Sequence, residues 1–138
     1  MNLLKVCAFL VVASMGCLSL YAQDNKVRTV DPTEFKELLK SDTDSGILDV
    51  RKPEEYASGH LPNAVNIDWL DSVAFKTEAQ KLDKNKTYYV YCRSGRRSAE
   101  AAKWLAERGY KVVELRGGWL AWDRCCAIKT DTASGCCD

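Results

Sequence analysis

Short apolar runs rich in β-forming residues alternate with amphipathic helical patterns along most of this chain. The clearest strand is the run TYYVY at 87–91, and the clearest helix is 98–108, which ends at Gly109. Further strands are predicted at 26–30, 46–50 and 111–115 and within 61–67, and further helices from Asp31-Pro32, at 53–57, within 70–82 and from Trp119. Strands that are buried on both faces of a parallel sheet read as continuous apolar runs. The alternation therefore predicts an α/β sandwich of three layers, a small central parallel sheet with helices on both faces.

The composition fits one compact domain and excludes several classes of protein. The chain has 138 residues, of which 46% are hydrophobic and 28% are charged. This length is enough to bury one core but too short for two full domains. With 20 basic and 19 acidic side chains, the chain has no positive field that would hold nucleic acid and no acidic excess typical of disorder.

The amino-terminal segment 1–22 has the pattern of a secretory signal peptide: a start with one lysine, an apolar stretch, and Ala22 before a polar sequence. Two alternatives stay open. One is lipidation at Cys17, as in a bacterial lipoprotein, and the other is a retained membrane anchor, since 6–22 is at the lower length limit of about 17 residues for a span. We expect export to the bacterial periplasm, with membrane contact only if Cys17 is lipidated or the signal is retained.

The sequence Cys92-Arg93-Ser94-Gly95-Arg96-Arg97 follows strand 87–91 and leads directly into the predicted helix. A cysteine in this place lies near a helix N-terminus, and the arginines add positive charge; both favour the thiolate over the thiol. Gly95 permits a tight loop whose amides point inward. The alternative is a buried cysteine behind a solvated helix start. Because basic residues are unfavourable at a helix N-terminus unless an anion binds there, the sequence favours a nucleophilic sulfur in an anion-binding loop.

The length of this loop separates two kinds of cysteine chemistry. A cysteine phosphatase needs an arginine six positions after the cysteine, where it binds phosphate oxygens in a bidentate manner. That position is Ser98, and Arg97 comes one residue earlier. The loop is therefore one residue shorter and suits a smaller group on the sulfur, which disfavours phosphatase or arsenate-reductase activity.

Three ordered motifs resemble the rhodanese family of sulfurtransferases, and the resemblance spans about 27–124. The motifs are Leu48-Asp49-Val50-Arg51 with Glu54-Glu55-Tyr56, Gly59-His60-Leu61-Pro62 and Asn63-Ala64-Val65-Asn66-Ile67; Tyr91-Cys92-Arg93-Ser94-Gly95-Arg96-Arg97-Ser98; and Leu115-Arg116-Gly117-Gly118 with Trp122. Together with an export signal they look most like small single-domain periplasmic thiosulfate sulfurtransferases. The resemblance implies a rhodanese-like domain over 23–124, between the signal peptide at 1–22 and a cysteine-rich tail at 125–138.

The resemblance also implies a reaction and its residues. The Cys92 thiolate takes the outer sulfur of thiosulfate or another small anionic donor, and the persulfide then passes it to cyanide, a thiol or a protein thiol. The substrate-binding residues would be Arg93, Ser94, Gly95, Arg96 and Arg97, with Arg93 and Arg97 the candidates for the donor's sulfonate. No metal or organic cofactor is needed. The alternative function is a persulfide carrier or protein-partner module in envelope sulfur or redox metabolism.

Residues around the loop are expected to have structural roles. Asp49 and Arg51 follow a buried strand and are expected to form an ion pair that supports the fold, and Glu55 is a possible partner of Arg51. The sole histidine, His60, is expected to be packed and hydrogen-bonded rather than to act as a general base. Attack by an existing thiolate requires no general base.

Four cysteines, Cys125, Cys126, Cys136 and Cys137, lie beyond the last motif. Exposed thiols pair in an oxidising compartment, so we expect two disulfides across the short intervening loop, which would leave Cys92 free. Three alternatives stay open. In the first, a tail thiol accepts sulfur from Cys92, and in the second, a tail thiol protects Cys92 as a mixed disulfide. In the third, the four thiolates bind Zn or Cu(I), although adjacent cysteines lack the Cys-x-x-Cys spacing that is usual in such sites.

Overall fold

The computed structural model describes residues 27–126, in which strands and helices alternate from end to end. The strands are β1 (Arg28–Val30), β2 (Ser45–Asp49), β3 (Ala64–Asn66), β4 (Thr87–Tyr91) and β5 (Lys111–Leu115). The helices are α1 (Pro32–Ser41), α2 (Pro53–Ala57), α3 (Ser72–Ala79), α4 (Arg96–Ala106) and α5 (Gly118–Cys126). Between residues 27 and 126, no helix is both long enough and apolar enough to cross a membrane.

The five strands form one parallel sheet in the spatial order β1-β5-β4-β2-β3. β4 is the central strand, and it pairs with β5 on one side and with β2 on the other. Because the carboxyl ends of parallel strands meet at one edge, the segments that follow β2, β4 and β5 converge there. The segment that begins at Cys92 therefore leaves the sheet at its centre.

Apolar side chains cover both faces of the sheet and build a core on each. On one face, Phe75 of α3 and Leu105 of α4 belong to one buried cluster with Val90 of β4. On the other face, Phe35 of α1 meets Tyr89 of β4 edge to face, with 5.4 Å between the ring centroids. The predicted three-layer α/β sandwich is confirmed.

The residues directly before α1 and α4 mark where these two helices begin. The Asp31 carboxylate accepts a hydrogen bond at 2.9 Å from the amide three residues on, and Pro32 takes the first helical position of α1, as expected. α4, however, begins at Arg96 and not at 98. Gly95 has a φ of +98°, a left-handed conformation that favours glycine, so the chain turns there and the helix starts directly behind it. Arg96 and Arg97 therefore belong to the first turn of α4.

The predicted signal peptide at 1–22, the lipidation at Cys17 and the tail beyond residue 126 lie outside the described residues. Among the cysteines that the structure describes, Cys92 is a free thiol and Cys125 is disulfide-bonded.

Candidate active site

Cys92 is the first residue after β4 and lies between the sheet and α4. Its side chain is fully buried, in an apolar cluster with Val50, Val90 and Ala101. The Gly95 amide donates a hydrogen bond to the Cys92 Sγ atom at 3.1 Å, so the loop curls back over the sulfur. Because a hydrogen bond to an ionised acceptor is stronger than one to a neutral acceptor, this contact favours a negatively charged sulfur.

The loop behind Cys92 is fixed against the first turn of α5. The Trp119 amide donates to the Cys92 carbonyl at 2.7 Å, and the Leu120 amide donates to the Arg93 carbonyl at 3.0 Å. Gly118 allows this close approach, since a Cβ atom there would lie 2.5 Å from the Cys92 carbonyl oxygen and 2.8 Å from the Arg93 carbonyl oxygen. Amides at the start of α5, which have no partner within their own helix, thus hold the loop in place.

The three arginines of the loop have different surroundings. Arg93 and Arg96 are exposed, as is Ser94, and neither arginine forms an ion pair with a residue that the structure describes. The side chain of Arg97 is only 20% exposed. It donates two hydrogen bonds to Glu55, from Nη1 to Oε2 at 2.7 Å and from Nη2 to Oε1 at 2.9 Å. These hydrogen bonds lower the pKa of Glu55 from 4.5 to about 2, so the pair is ionised at neutral pH.

The suggested pairing of Glu55 with Arg51 is wrong. Glu55 occupies the third position of α2, where its carboxylate also accepts the Lys52 amide at 3.1 Å and completes a capping box. From this position the carboxylate meets Arg97 in the first turn of α4. Asp49 already holds the Arg51 guanidinium, which explains why Arg51 does not take Glu55 as its partner.

Asp49 and Arg51 form an ion pair that is almost completely buried. The Arg51 Nη2 atom lies 2.6 Å from the Asp49 Oδ2 atom and donates to the Gly59 carbonyl at 2.7 Å. The Trp119 ring covers the guanidinium, with 4.8 Å from the Arg51 Cζ atom to the ring centroid. Trp119 also supplies the amide that binds the Cys92 carbonyl. The pair therefore stabilises the Cys92 loop indirectly, because it links the end of β2 to the start of α5.

His60 lies on the surface, and none of the described contacts links it to Cys92. Its ring stacks on the Tyr56 ring with 3.7 Å between centroids, and its Nδ1 atom lies 3.0 Å from the Tyr56 carbonyl oxygen. The expected hydrogen bond is present, but the side chain is exposed and not packed in the interior.

A buried carboxyl group lies behind the loop, outside every motif quoted above. Glu114 of β5 is 3% exposed, and its Oε1 atom lies 2.7 Å from the Ser98 Oγ atom. The same Ser98 hydroxyl lies 3.1 Å from the Gly95 carbonyl oxygen. The sequence indicates this group only by one acid inside the strand KVVEL. Side chains two residues apart in a strand point to the same face, so the apolar Val112 predicts an apolar side chain at position 114.

Together these contacts describe a site for nucleophilic sulfur chemistry on an anion. The Cys92 sulfur has an amide donor, lies at the N-terminal end of α4, and has Arg93 and Arg96 at the surface of the same loop. The loop's shape is fixed from two sides, by α5 and by the contact of Ser98 with Glu114. Such an arrangement can stabilise a thiolate and bind a small anion beside it.

Three comparisons with known proteins agree with one another. The family model for the rhodanese-like domain matches residues 31–125. The chain is 37% identical over 98 residues to a putative sulfurtransferase, YtwF of Bacillus subtilis, covering 71% of this chain and 92% of that protein. It is 44% identical over 71 residues to the thiosulfate sulfurtransferase PspE of Escherichia coli, covering 51% of this chain and 67% of that protein. The crystal structure of a rhodanese-like domain protein from Staphylococcus aureus matches with a TM-score of 0.62 and 33% identity, over 70% of this chain and 91% of that one.

Proposed function

Because the chain belongs to the family of rhodanese-like domains, and the two relatives described above are named sulfurtransferases, we propose that it is a sulfurtransferase that works through a Cys92 persulfide. Its donor is thiosulfate or a similar small anion that carries a sulfane sulfur. Its acceptor is cyanide, a small thiol or a protein thiol. The observation that carries the proposal is the free Cys92 thiol under the Gly95 amide, at the N-terminal end of α4.

The reaction consists of two half-reactions. The Cys92 thiolate attacks the outer sulfur of thiosulfate, the S–S bond of the donor breaks, and sulfite leaves with the electron pair. The negative charge then rests on the outer sulfur of the persulfide. In the second half-reaction cyanide attacks that sulfur, leaves as thiocyanate and returns the thiolate. Atoms and charge balance in both steps, and neither step needs a proton.

The loop supplies the groups that these steps need. The Gly95 amide binds Sγ, and the other amides of 93–97 are the groups we expect around the outer sulfur, in the manner of an oxyanion hole. Arg93 and Arg96 are exposed and are our candidates for the sulfonate of the donor. Arg97 is already paired with Glu55, so we expect it to act on the donor through its charge more than through direct hydrogen bonds. Because Cys92 is fully buried, the donor reaches the sulfur only after side chains at the surface of the loop move.

We also propose that the protein works outside the cytoplasm, in the bacterial periplasm. The support is the signal-like segment 1–22 and the cysteine-rich tail, which suits an oxidising compartment. The intact mass of the protein from fractionated cells tests this proposal. A mass that begins at residue 23 supports cleavage, a diacylglycerol adduct on Cys17 supports the lipoprotein alternative, and a full-length mass in the cytoplasm contradicts export.

Replacement of Cys92 tests the proposed chemistry. The Cys92→Ser variant should fold but lose turnover with thiosulfate and cyanide, because serine is not appreciably ionised near neutral pH. Mass spectrometry of the wild-type protein after thiosulfate should show one extra sulfur on the peptide that contains Cys92. A Ser72→Ala variant, at an exposed serine in the first turn of α3, is the control and should keep the extra sulfur. Normal turnover in Cys92→Ser, or an unmodified Cys92 peptide beside phosphatase activity, would end the assignment.

A further inference from the structure

Glu114 is a buried carboxyl group that takes no part in the two half-reactions. It lies on β5 with 3% of its surface exposed, and hydroxyl groups from two other elements reach it. Ser98 of α4 lies 2.7 Å from its Oε1 atom, and Thr29 of β1 donates a further hydrogen bond to it. The positive charge of Arg116, two residues along the chain, acts to lower the pKa of Glu114. The burial of this carboxyl group is unusual, since acidic side chains are seldom buried unless they are paired with a charge or a hydrogen-bond donor.

The Ser98 hydroxyl connects Glu114 to the loop. Its Oγ atom lies 2.7 Å from the Glu114 carboxyl and 3.1 Å from the Gly95 carbonyl oxygen, but a hydroxyl has one proton. When Glu114 is ionised, the two acceptors compete for that proton, and the charged acceptor at the shorter distance takes it. When Glu114 is protonated, its O–H donates to Ser98, and Ser98 is free to donate to Gly95. The Gly95 carbonyl also accepts the Ala99 amide at 3.1 Å, so the proton on Glu114 decides whether this carbonyl has one hydrogen-bond donor or two.

Gly95 is also the residue that contacts the sulfur. Its amide donates to Cys92 Sγ at 3.1 Å, and a Cβ atom on Gly95 would lie 3.6 Å from the Glu114 Oε1 atom. An ionised Glu114 thus places a negative charge directly behind the loop that has to hold a negatively charged sulfur. Like charges disfavour each other strongly where water is excluded.

We propose that Glu114 is a positioning residue of the loop, which acts through Ser98 and Gly95 and makes the stability of an anionic sulfur on Cys92 depend on its own protonation. The proposal rests on the proposed function only in taking Cys92 as the reacting group. Burial raises the pKa of Glu114 above 4.5, against the hydrogen bonds from Ser98 and Thr29 and the charge of Arg116, which lower it. The protonated form therefore persists to a higher pH than in an exposed glutamate.

The Glu114→Gln variant separates the two states, because its amide donates to Ser98 as a protonated acid does and never ionises. The measurement is the rate at which iodoacetamide alkylates Cys92, from about pH 4 to about pH 9, which needs no sulfur transfer. We expect the wild-type profile to show two inflections, and Glu114→Gln to show one, with alkylation several-fold faster near neutral pH. The control is Glu107→Gln, at the exposed far end of α4, whose profile should match the wild type.

Two outcomes would overturn the proposal. One is a Glu114→Gln profile identical to the wild type, and the other is a Glu107→Gln profile that changes in the same way. If Glu114→Gln does not fold, the Ser98→Ala variant tests the proposal instead. It removes the hydroxyl that connects Glu114 to Gly95, so the second inflection should be weaker than in the wild type. A protein that fails to turn over thiosulfate but shows the altered alkylation profile would refute the proposed function and leave this proposal standing.

Discussion

Replacing Glu55 by glutamine removes one charge from the half-buried pair with Arg97 and keeps the shape of the side chain. In the folded protein the hydrogen bonds from Arg97 lower the pKa of Glu55 from 4.5 to about 2. One pKa unit corresponds to about 1.4 kcal/mol, so the ionised group contributes at most about 3 kcal/mol to the free energy of unfolding. Because 27% of the Glu55 side chain is exposed, screening by water reduces this to about 1–2 kcal/mol.

The lowered pKa of Glu55 fixes the sign of the pH dependence. Above pH 4.5 the group is ionised in both the folded and the unfolded protein, and its contribution is fully present. As the pH falls from 4.5 to about 2, the unfolded chain binds a proton that the folded protein does not bind, and the contribution is lost. The Glu55→Gln variant lacks this contribution at every pH. It should therefore be less stable than the wild type by about 1–2 kcal/mol at neutral pH, and the difference should shrink toward zero near pH 2.

Urea unfolding followed by circular dichroism measures this difference at neutral pH and at several acidic values. The matched control is Glu54→Gln, which removes an exposed carboxylate from the same first turn of α2 and should change stability by less than about 0.5 kcal/mol. A Glu55→Gln variant as stable as the wild type at neutral pH would refute the reasoning. So would a deficit of the same size at all values, because a lost packing contact does not titrate.

Other substitutions test the remaining contacts of the site. Gly118→Ala should lower both activity and melting temperature far more than Gly109→Ala, because both positions have a left-handed φ but only Gly118 faces a loop carbonyl oxygen, at 2.5 Å from a Cβ atom; equal losses would contradict the clash. Arg93→Ala should raise the KM for thiosulfate several-fold, less so at high salt, and leave an uncharged sulfane donor little affected; an equal loss with both donors would mean that Arg93 shapes the loop. Asp49→Asn should lower the free energy of unfolding by about 3–5 kcal/mol in urea titrations, since it leaves the Arg51 charge buried without its partner, and a loss below about 1 kcal/mol would contradict that reading.

Local patterns were sufficient to predict most of the fold. β4 and β5 have the predicted bounds, because each is a short run rich in the β-branched or aromatic residues that favour strands. The start of α4 was misplaced by two residues for a reason that is not local. Gly95 adopts its left-handed φ because the loop closes against Gly117 and the start of α5, and the sequence around Cys92 contains no sign of that closure.

The candidate site was predictable as far as its residues are neighbours in the chain. Cys92 and the Gly95 amide lie three residues apart, so a tight loop between near neighbours in the chain brings them together. The partner of Arg97 is 42 residues away along the chain, and only the packing of α2 beside α4 brings Glu55 to it. Glu114 was missed for the same reason, since its contact with Ser98 depends on how α4 lies on β5.

The complete burial of Cys92 also bears on the regiochemistry of a persulfide. A persulfide would extend the Cys92 side chain by one S–S bond of about 2 Å beyond the enclosed Sγ. An incoming nucleophile that attacks the terminal atom completes a transfer, whereas attack at Sγ expels hydrosulfide and leaves a dead-end mixed disulfide. A thiol, like a donor, reaches the buried Sγ only after side chains at the surface of the loop move, and this is harder for a bulky thiol. In the proposed reaction, the enclosure that slows the arrival of a donor would therefore also slow the trapping of Cys92 by acceptor thiols.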